Sequence, residues 1–309
     1  MSLLISIPDS MRPNSLGSAL LSLDPKLEIA IGQKNVQTPA EVEFAVVWKH
    51  PQGLLKNFPN LKAISSYGHG ADGLLSDREL PADVPLVRLT DSTMAKWMSE
   101  YLLTVVLLQR RQLLEYANDP GFSEWGTAVR LPGNNIGILG LGYLGQAAAE
   151  VFLRMDFEVL GWSRTQKKVD DVVSFHGKNG LNEMLKETDY LINLLPHTPD
   201  TQDLINTKVL SQLKCGAFFI NVGRGQTLVE DDLIPLLDNG RLAGACLDVF
   251  RTEPLPAEHP FRRHKKILIT PHNSSATPAE SVAPQILENY RRAVSGRQLL
   301  NLVDREHGY

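Results

Sequence analysis

Ile136-Gly137-Ile138-Leu139-Gly140-Leu141-Gly142-Tyr143-Leu144-Gly145 is the stretch that decides the fold. An apolar run of strand length leads straight into Gly-x-Gly-x-x-Gly. The residues that follow, Leu144, Ala147, Ala148, Val151, Phe152 and Met155, fall on one face at helical spacing. In a strand, turn and helix that receive a pyrophosphate, each glycine has a task. Gly140 permits the tight turn, Gly142 lets the backbone approach the phosphates, and Gly145 lets the helix pack close to the strand. The helix start at Tyr143 and Leu144 turns N–H groups toward the anion. A glycine pattern alone is weak evidence, but in this setting it indicates a dinucleotide-binding turn.

Beyond that turn, strands and helices alternate regularly, the mark of a parallel sheet with crossover helices. Candidate strands lie at 136–139, 158–162, 190–194, 217–222, 243–248 and 267–270, which suffice for a complete Rossmann doubly wound parallel sheet. The first ninety or so residues hold shorter β-rich runs at 3–7, 27–31, 44–48, 61–65 and 86–89, separated by polar, Pro- or Gly-containing stretches. They read as a smaller α/β unit. A helical stretch from 94 to about 116 follows, apolar around much of its circumference, so it needs cover from the second domain or a second subunit. A polar segment, 118–134, comes next. Residues 279–293 again read as a helix, and because the large sheet is complete by Thr270, this helix is expected to return to the first unit. The expected fold class is therefore α/β with two domains, 1–97 with 277–309 and 98–276, in keeping with a length of 309 residues.

A hydrophobic fraction of 43% and a charged fraction of 21% are those of a globular protein. The net charge of −4 gives no global field that would attract polyphosphate or an anionic membrane, which speaks against a nucleic-acid partner. Both cysteines, Cys215 and Cys246, stand in apolar surroundings and read as buried thiols, with no disulfide framework and no metal site. No window approaches a membrane span, and the amino terminus lacks a basic leader, so the expected location is the cytoplasm.

The second strand of the large sheet ends where an NAD-specific site carries an acidic residue for the ribose hydroxyls. Here the residues are Ser163, Arg164 and Thr165, with Lys167 and Lys168 close behind. A carboxylate would repel a phosphorylated ribose, whereas a guanidinium and hydroxyls pair with it. NADP(H) is the expected cofactor, with NAD(H) accepted at lower preference.

Further segments follow strands of the same sheet, where this fold places its ligands. They are Leu194-Leu195-Pro196-His197, Asn221-Val222-Gly223-Arg224-Gly225, Asp248 followed by Glu253-Pro254-Leu255-Pro256, and Thr270-Pro271-His272. A guanidinium at Arg224 can bind the carboxylate of a 2-keto acid and polarise the neighbouring carbonyl. Reduction at the carbonyl carbon leaves charge on oxygen that needs a proton, and His272 can supply one near neutral pH. Glu253 would hold that ring in one orientation and favour its protonated form.

In this order and spacing, these segments closely resemble the D-isomer-specific 2-hydroxyacid dehydrogenase family, and within it the glyoxylate/hydroxypyruvate reductases of bacteria. The resemblance covers nearly the whole chain. It implies a flavodoxin-like substrate domain beside the Rossmann domain, with the active site in the cleft, and a homodimer to which 101–108 could contribute. It assigns catalysis to Arg224, Glu253 and His272, and the reaction to NADPH with glyoxylate or hydroxypyruvate. Asp248 matches the position that meets the nicotinamide carboxamide, its other reading being a turn-capping carboxylate. Leu195, Pro196 and Val222 are counted with the cofactor alongside the glycine turn. In the first domain, Ser65 to Asp72 resembles the loop whose N–H groups receive the substrate carboxylate, which brings in Tyr67, Gly68, His69 and Gly70, with Trp48 on the apolar side of the pocket. Where the family often has small or aliphatic residues this chain has Tyr67 and His69. Phosphoglycerate and formate dehydrogenases share the architecture and fit less well. A nucleotide-sensing, corepressor-like scaffold on the same fold is the alternative from another class.

Overall fold

Two parallel sheets organise the molecule in the computed structural model, which describes residues 2–118 and 131–308. One unit holds the chain up to Met94 and again from Thr277; the other runs from Ala95 to Ala276. In the first unit β1 (Ser2–Ser6), β2 (Glu28–Ile31), β3 (Val42–Val47), β4 (Ala63–Ser66) and β5 (Leu86–Val87) pair in the order β2-β1-β3-β4-β5, all parallel. Successive side chains point to opposite faces. Leu3, Ile5, Phe44 and Val46 therefore face the helices Pro13–Leu23 and Ala279–Val294, while Leu4, Ala45, Val47 and Ile64 meet Leu54, Leu55, Phe58 and Leu74 on the other side. The late helix presents Val282, Ala283, Ile286, Leu287, Tyr290 and Ala293 at i, i+3 and i+4 spacing. That stripe is what returns the chain to the first sheet.

Among its described residues the second unit carries seven strands: β6 (Asn135–Leu139), β7 (Glu158–Ser163), β8 (Val173–His176), β9 (Tyr190–Asn193), β10 (Ala217–Asn221), β11 (Leu242–Leu247) and β12 (Ile267–Ile269). They pair in the order β12-β11-β10-β9-β6-β7-β8, all parallel. The sequence shows six of them. β8 is an edge strand with Val173 54% exposed and His176 at the surface, so it lacks the apolar run by which its neighbours are read. The order reverses between β6 and β9, which makes the carboxyl ends of these strands the place for a ligand.

The long helical stretch is two helices, Ser92–Arg110 and Leu113–Asn118. Gln112 stands between them in the left-handed region, at φ 53°. Arg110, the last residue of the first helix, is buried, lies 4.5 Å over the Phe157 ring, and donates to Asn134 Oδ1 at 3.0 Å. The first of the two helices buries Met98, Leu102, Val105 and Val106 in the core of the second unit. Of the polar segment 118–134, residues 119–130 lie outside the described residues. Cys246 is buried as expected, but Cys215 is exposed, because it sits in the turn at Gly216 just before β10 begins at Ala217. Among the described residues no helix is long and apolar enough to cross a membrane.

Candidate active site

The turn between β6 and the helix Tyr143–Leu153 has the form that its glycines require. Gly140 adopts φ +104°, and its N–H donates to the Trp162 carbonyl at 2.8 Å. A Cβ on Gly145 would stand 2.0 Å from the Gly140 carbonyl oxygen, so the helix start can close on the strand only over glycine. Gly142 caps the helix without a side-chain partner for its N–H groups, and the space where its Cβ would be is open for 4 Å. A phosphate can approach the backbone there. Tyr143 is exposed beside it, and Leu144 is half-buried.

At the end of β7 the buried Ser163 hydroxyl donates to the Thr165 carbonyl at 2.7 Å. Arg164 projects into solvent with Nη1 4.0 Å from Asp200 Oδ2, and Lys167 donates to the Leu141 carbonyl of the glycine turn at 3.0 Å. Two cationic side chains thus flank the strand end where a ribose would lie, and β7 ends on Ser163 rather than on a carboxylate.

The strand ends on the other side of the switch point are tied by a network that sequence reasoning missed. Asn193 and Asn221 end β9 and β10, and these two and Thr227 are fully buried. Asn193 Nδ2 donates to Asn221 Oδ1 and to Thr227 Oγ1, each at 2.8 Å. The Arg224 carbonyl accepts from Thr227 Oγ1 at 2.6 Å and from Asn221 Nδ2 at 3.3 Å. Three buried polar side chains, satisfying one another, hold the backbone from which Arg224 projects. The only sequence signal is that Asn193 and Asn221 are polar residues at the ends of apolar strands. Leu195 and Val222 are buried beside this network, and Pro196 is half-buried.

Asp248, fully buried at the end of β11, organises the next turn. Its Oδ1 accepts from Thr270 Oγ1 at 2.6 Å and from the Asn273 N–H at 2.9 Å, and its Oδ2 from the Ser274 N–H at 3.0 Å. Its carbonyl accepts from the His272 N–H at 2.9 Å, and its own N–H donates to the Asn221 carbonyl at 3.0 Å. The side chain is thus a cap for the 270–274 turn. His272 occupies that turn at φ 52°, a costly conformation for a residue with a Cβ and one held by the surrounding bonds. Its Nδ1 donates to Glu253 Oε2 at 2.8 Å, while Glu253 Oε1 accepts from the Phe250 N–H at 3.2 Å. Glu253 is therefore fixed, the ring orientation follows, and Nε2 is the nitrogen left to face a ligand.

In the first unit the Tyr67 ring is 2% exposed and belongs to the core; its hydroxyl donates to the Thr277 carbonyl at 3.1 Å, and burial pushes its pKa up to about 12. The Trp48 ring lies against Gly68, where a Cβ would be 2.6 Å from it. His69 has both ring nitrogens engaged: Nδ1 donates to the Leu89 carbonyl at 3.1 Å, and Nε2 accepts from Arg88 Nη1 at 3.1 Å. A ring held this way cannot serve as a second acid while the Arg88 bond stands. Gly70 follows, its carbonyl accepting from the Ser66 hydroxyl at 2.7 Å. Among the described residues no group of three or more His, Cys, Asp or Glu side chains could hold a metal ion.

A doubly wound parallel sheet with a glycine turn at its first strand and an acid pair at its last defines an α/β oxidoreductase of the dinucleotide-binding kind. Residues 103–274 match the family described as D-isomer specific 2-hydroxyacid dehydrogenase, NAD binding domain. The chain is 38% identical over 299 residues to glyoxylate/hydroxypyruvate reductase A of Yersinia enterocolitica, covering 94% of this chain and 95% of that one. A D-isomer specific 2-hydroxyacid dehydrogenase from Xanthobacter autotrophicus, solved with NADPH and MES, superposes with a TM-score of 0.94 at 38% identity over 100% of this chain and 99% of its own. An NADPH-dependent glyoxylate/hydroxypyruvate reductase from Sinorhizobium meliloti, solved with NADP and sulfate, gives a TM-score of 0.92 at 34% identity over 100% of both chains. The chain belongs to the D-isomer specific 2-hydroxyacid dehydrogenase family and is an enzyme of that family.

Proposed function

We propose that this enzyme reduces glyoxylate or hydroxypyruvate to glycolate or D-glycerate at the expense of NADPH. The observation that carries the reading is the 2.8 Å bond from His272 Nδ1 to Glu253, on a turn tied through Asp248 to the strand that leads to Arg224. NADP(H) is the cofactor; the open space at Gly142 and the basic end of β7 fit it, and the ribose of NAD(H) would lose the charge pairing at Arg164. When bound, the nicotinamide supplies the hydride. Asp248, Leu195, Pro196 and Val222 shape the nicotinamide end, while Ser163, Arg164 and Thr165 take the phosphorylated ribose.

Arg224 binds the carboxylate of the keto acid and polarises its carbonyl with a planar, permanently charged donor group. His272 gives the proton from Nε2 to the carbonyl oxygen as negative charge develops there. Glu253 orients the ring and balances its charge. The loop of Tyr67, Gly68, His69 and Gly70, with Trp48 packed on it, is assigned to substrate; the burial of Tyr67 leaves backbone and glycine as its means of contact. The free thiols Cys215 and Cys246 suit a reducing, cytoplasmic setting. Two of the three named relatives, those from Yersinia enterocolitica and Sinorhizobium meliloti, are glyoxylate/hydroxypyruvate reductases by their names, which supports this choice within the family.

The deciding experiment is an initial-rate screen of NADPH oxidation with glyoxylate, hydroxypyruvate, pyruvate and longer 2-keto acids, repeated with NADH. Turnover of the two short substrates with preference for NADPH is the expected result. A protein that binds NADPH but turns over none of them would favour the corepressor-like scaffold.

A further inference from the structure

Behind the His272 turn the structure holds a partly buried chain of polar groups, Tyr101, Thr270 and Cys246, that leads to the fully buried Asp248. Tyr101, on the helix Ser92–Arg110, places its hydroxyl 2.6 Å from Thr270 Oγ1 and 3.2 Å from Cys246 Sγ. The Asp248 carboxylate only accepts, so the one hydroxyl hydrogen of Thr270 goes to Asp248 Oδ1 at 2.6 Å. Thr270 Oγ1 must then accept, and Tyr101 donates to it. The Tyr101 oxygen is left to accept from the Cys246 thiol. The chain runs Cys246 to Tyr101 to Thr270 to Asp248 and ends on the carboxylate that caps the 270–274 turn.

Burial raises the pKa of Tyr101 well above the ordinary phenol range and pushes Cys246 up to about 12, so both stay protonated and the donor order is fixed. Every donor on Asp248 matters, since a buried carboxylate is held by the hydrogen bonds it receives. Asp248 in turn bonds the His272 N–H through its carbonyl and the Asn221 carbonyl through its N–H.

We propose that Tyr101 is a positioning residue for catalysis: its hydroxyl, acting through Thr270 and Asp248, sets the placement of His272 relative to the Arg224 strand end. It touches neither substrate nor cofactor in this reading. The inference rests on the reductase function above, and its test separates the two.

Tyr101→Phe keeps the ring and removes the donor. The expected result is a fall in kcat with glyoxylate of about tenfold, the order produced by a sub-ångström misplacement of a catalytic group, while the Kd for NADPH stays unchanged. Thr270→Val should give a similar loss, the double variant should be little worse than either single one, and Thr270→Ser should recover most of the rate, because the hydroxyls act as one chain. An unchanged kcat in Tyr101→Phe, losses that multiply in the double variant, or a matching loss of NADPH affinity overturns the proposal. If the parent itself turns over no 2-keto acid, the functional reading fails, and the His272 ring nitrogen signals in NMR spectra become the readout. A shift of those signals in Tyr101→Phe, reversed by no change elsewhere in the turn, upholds the positioning role; coincident spectra reject it.

Discussion

His272 shows how much a single residue owes to its neighbours, for it holds a left-handed backbone, a hydrogen bond to Glu253 and a main-chain bond to Asp248 at once. His272→Ala should remove most of the reductase rate, about 10²–10⁴-fold, and leave NADPH binding nearly intact, as comparison of kcat with a fluorescence titration of the cofactor will show. Glu253→Gln keeps the size and loses the charge. The pH above which reduction slows should then move down relative to the parent, and a superimposable pH profile under chemistry-limited conditions would remove Glu253 from its role. Arg164→Ala should raise KM for NADPH by roughly 10- to 100-fold with kcat kept, since a charge-assisted bond contributes about 1.5–3 kcal/mol and the ribose phosphate is remote from the reacting carbon. KM for NADH should barely change. These residues were legible in the sequence because their chemistry is tied to strand ends. The Asn193, Asn221 and Thr227 network was not, since three separated polar residues announce no partnership until β9, β10 and the turn after β10 bring them together.

Periodicity made most elements readable and its absence hid the rest. β6 with its helix, and the helix Ala279–Val294, carry long apolar patterns. The edge strand β8 carries none, and the break at Gln112 is a left-handed turn that interrupts a continuous apolar pattern. The turn 270–274 is likewise a tertiary product, wrapped on Asp248. Asp248→Asn is therefore a sharp test: an amide can accept on one side only, so its NH₂ would face the Ser274 or Asn273 N–H, donor against donor. The expected cost is about 1–3 kcal/mol in stability by urea denaturation, together with a lowered kcat. If stability is unchanged, the carboxylate is not what holds the turn.

For the molecule as a whole, saturating NADPH should raise the melting temperature, since a ligand at 100 times its Kd stabilises by about 2.7 kcal/mol, and NADH at the same concentration should raise it less. Light scattering should report a dimer, with a monomer counting against the association that the family resemblance implies. The return of the helix Ala279–Val294 to the first sheet has a consequence for synthesis on the ribosome. The strands of that sheet and the helix Pro13–Leu23 are all made by Val87, yet the second helix over Leu3, Ile5, Phe44 and Val46 comes only after the whole second unit has been translated. At about 5–20 residues per second, the wait is on the order of ten to forty seconds. During it the nascent chain displays half of a finished hydrophobic core. The second unit, contiguous from Ala95 to Ala276, can fold as it emerges, and so the part made first is the part completed last.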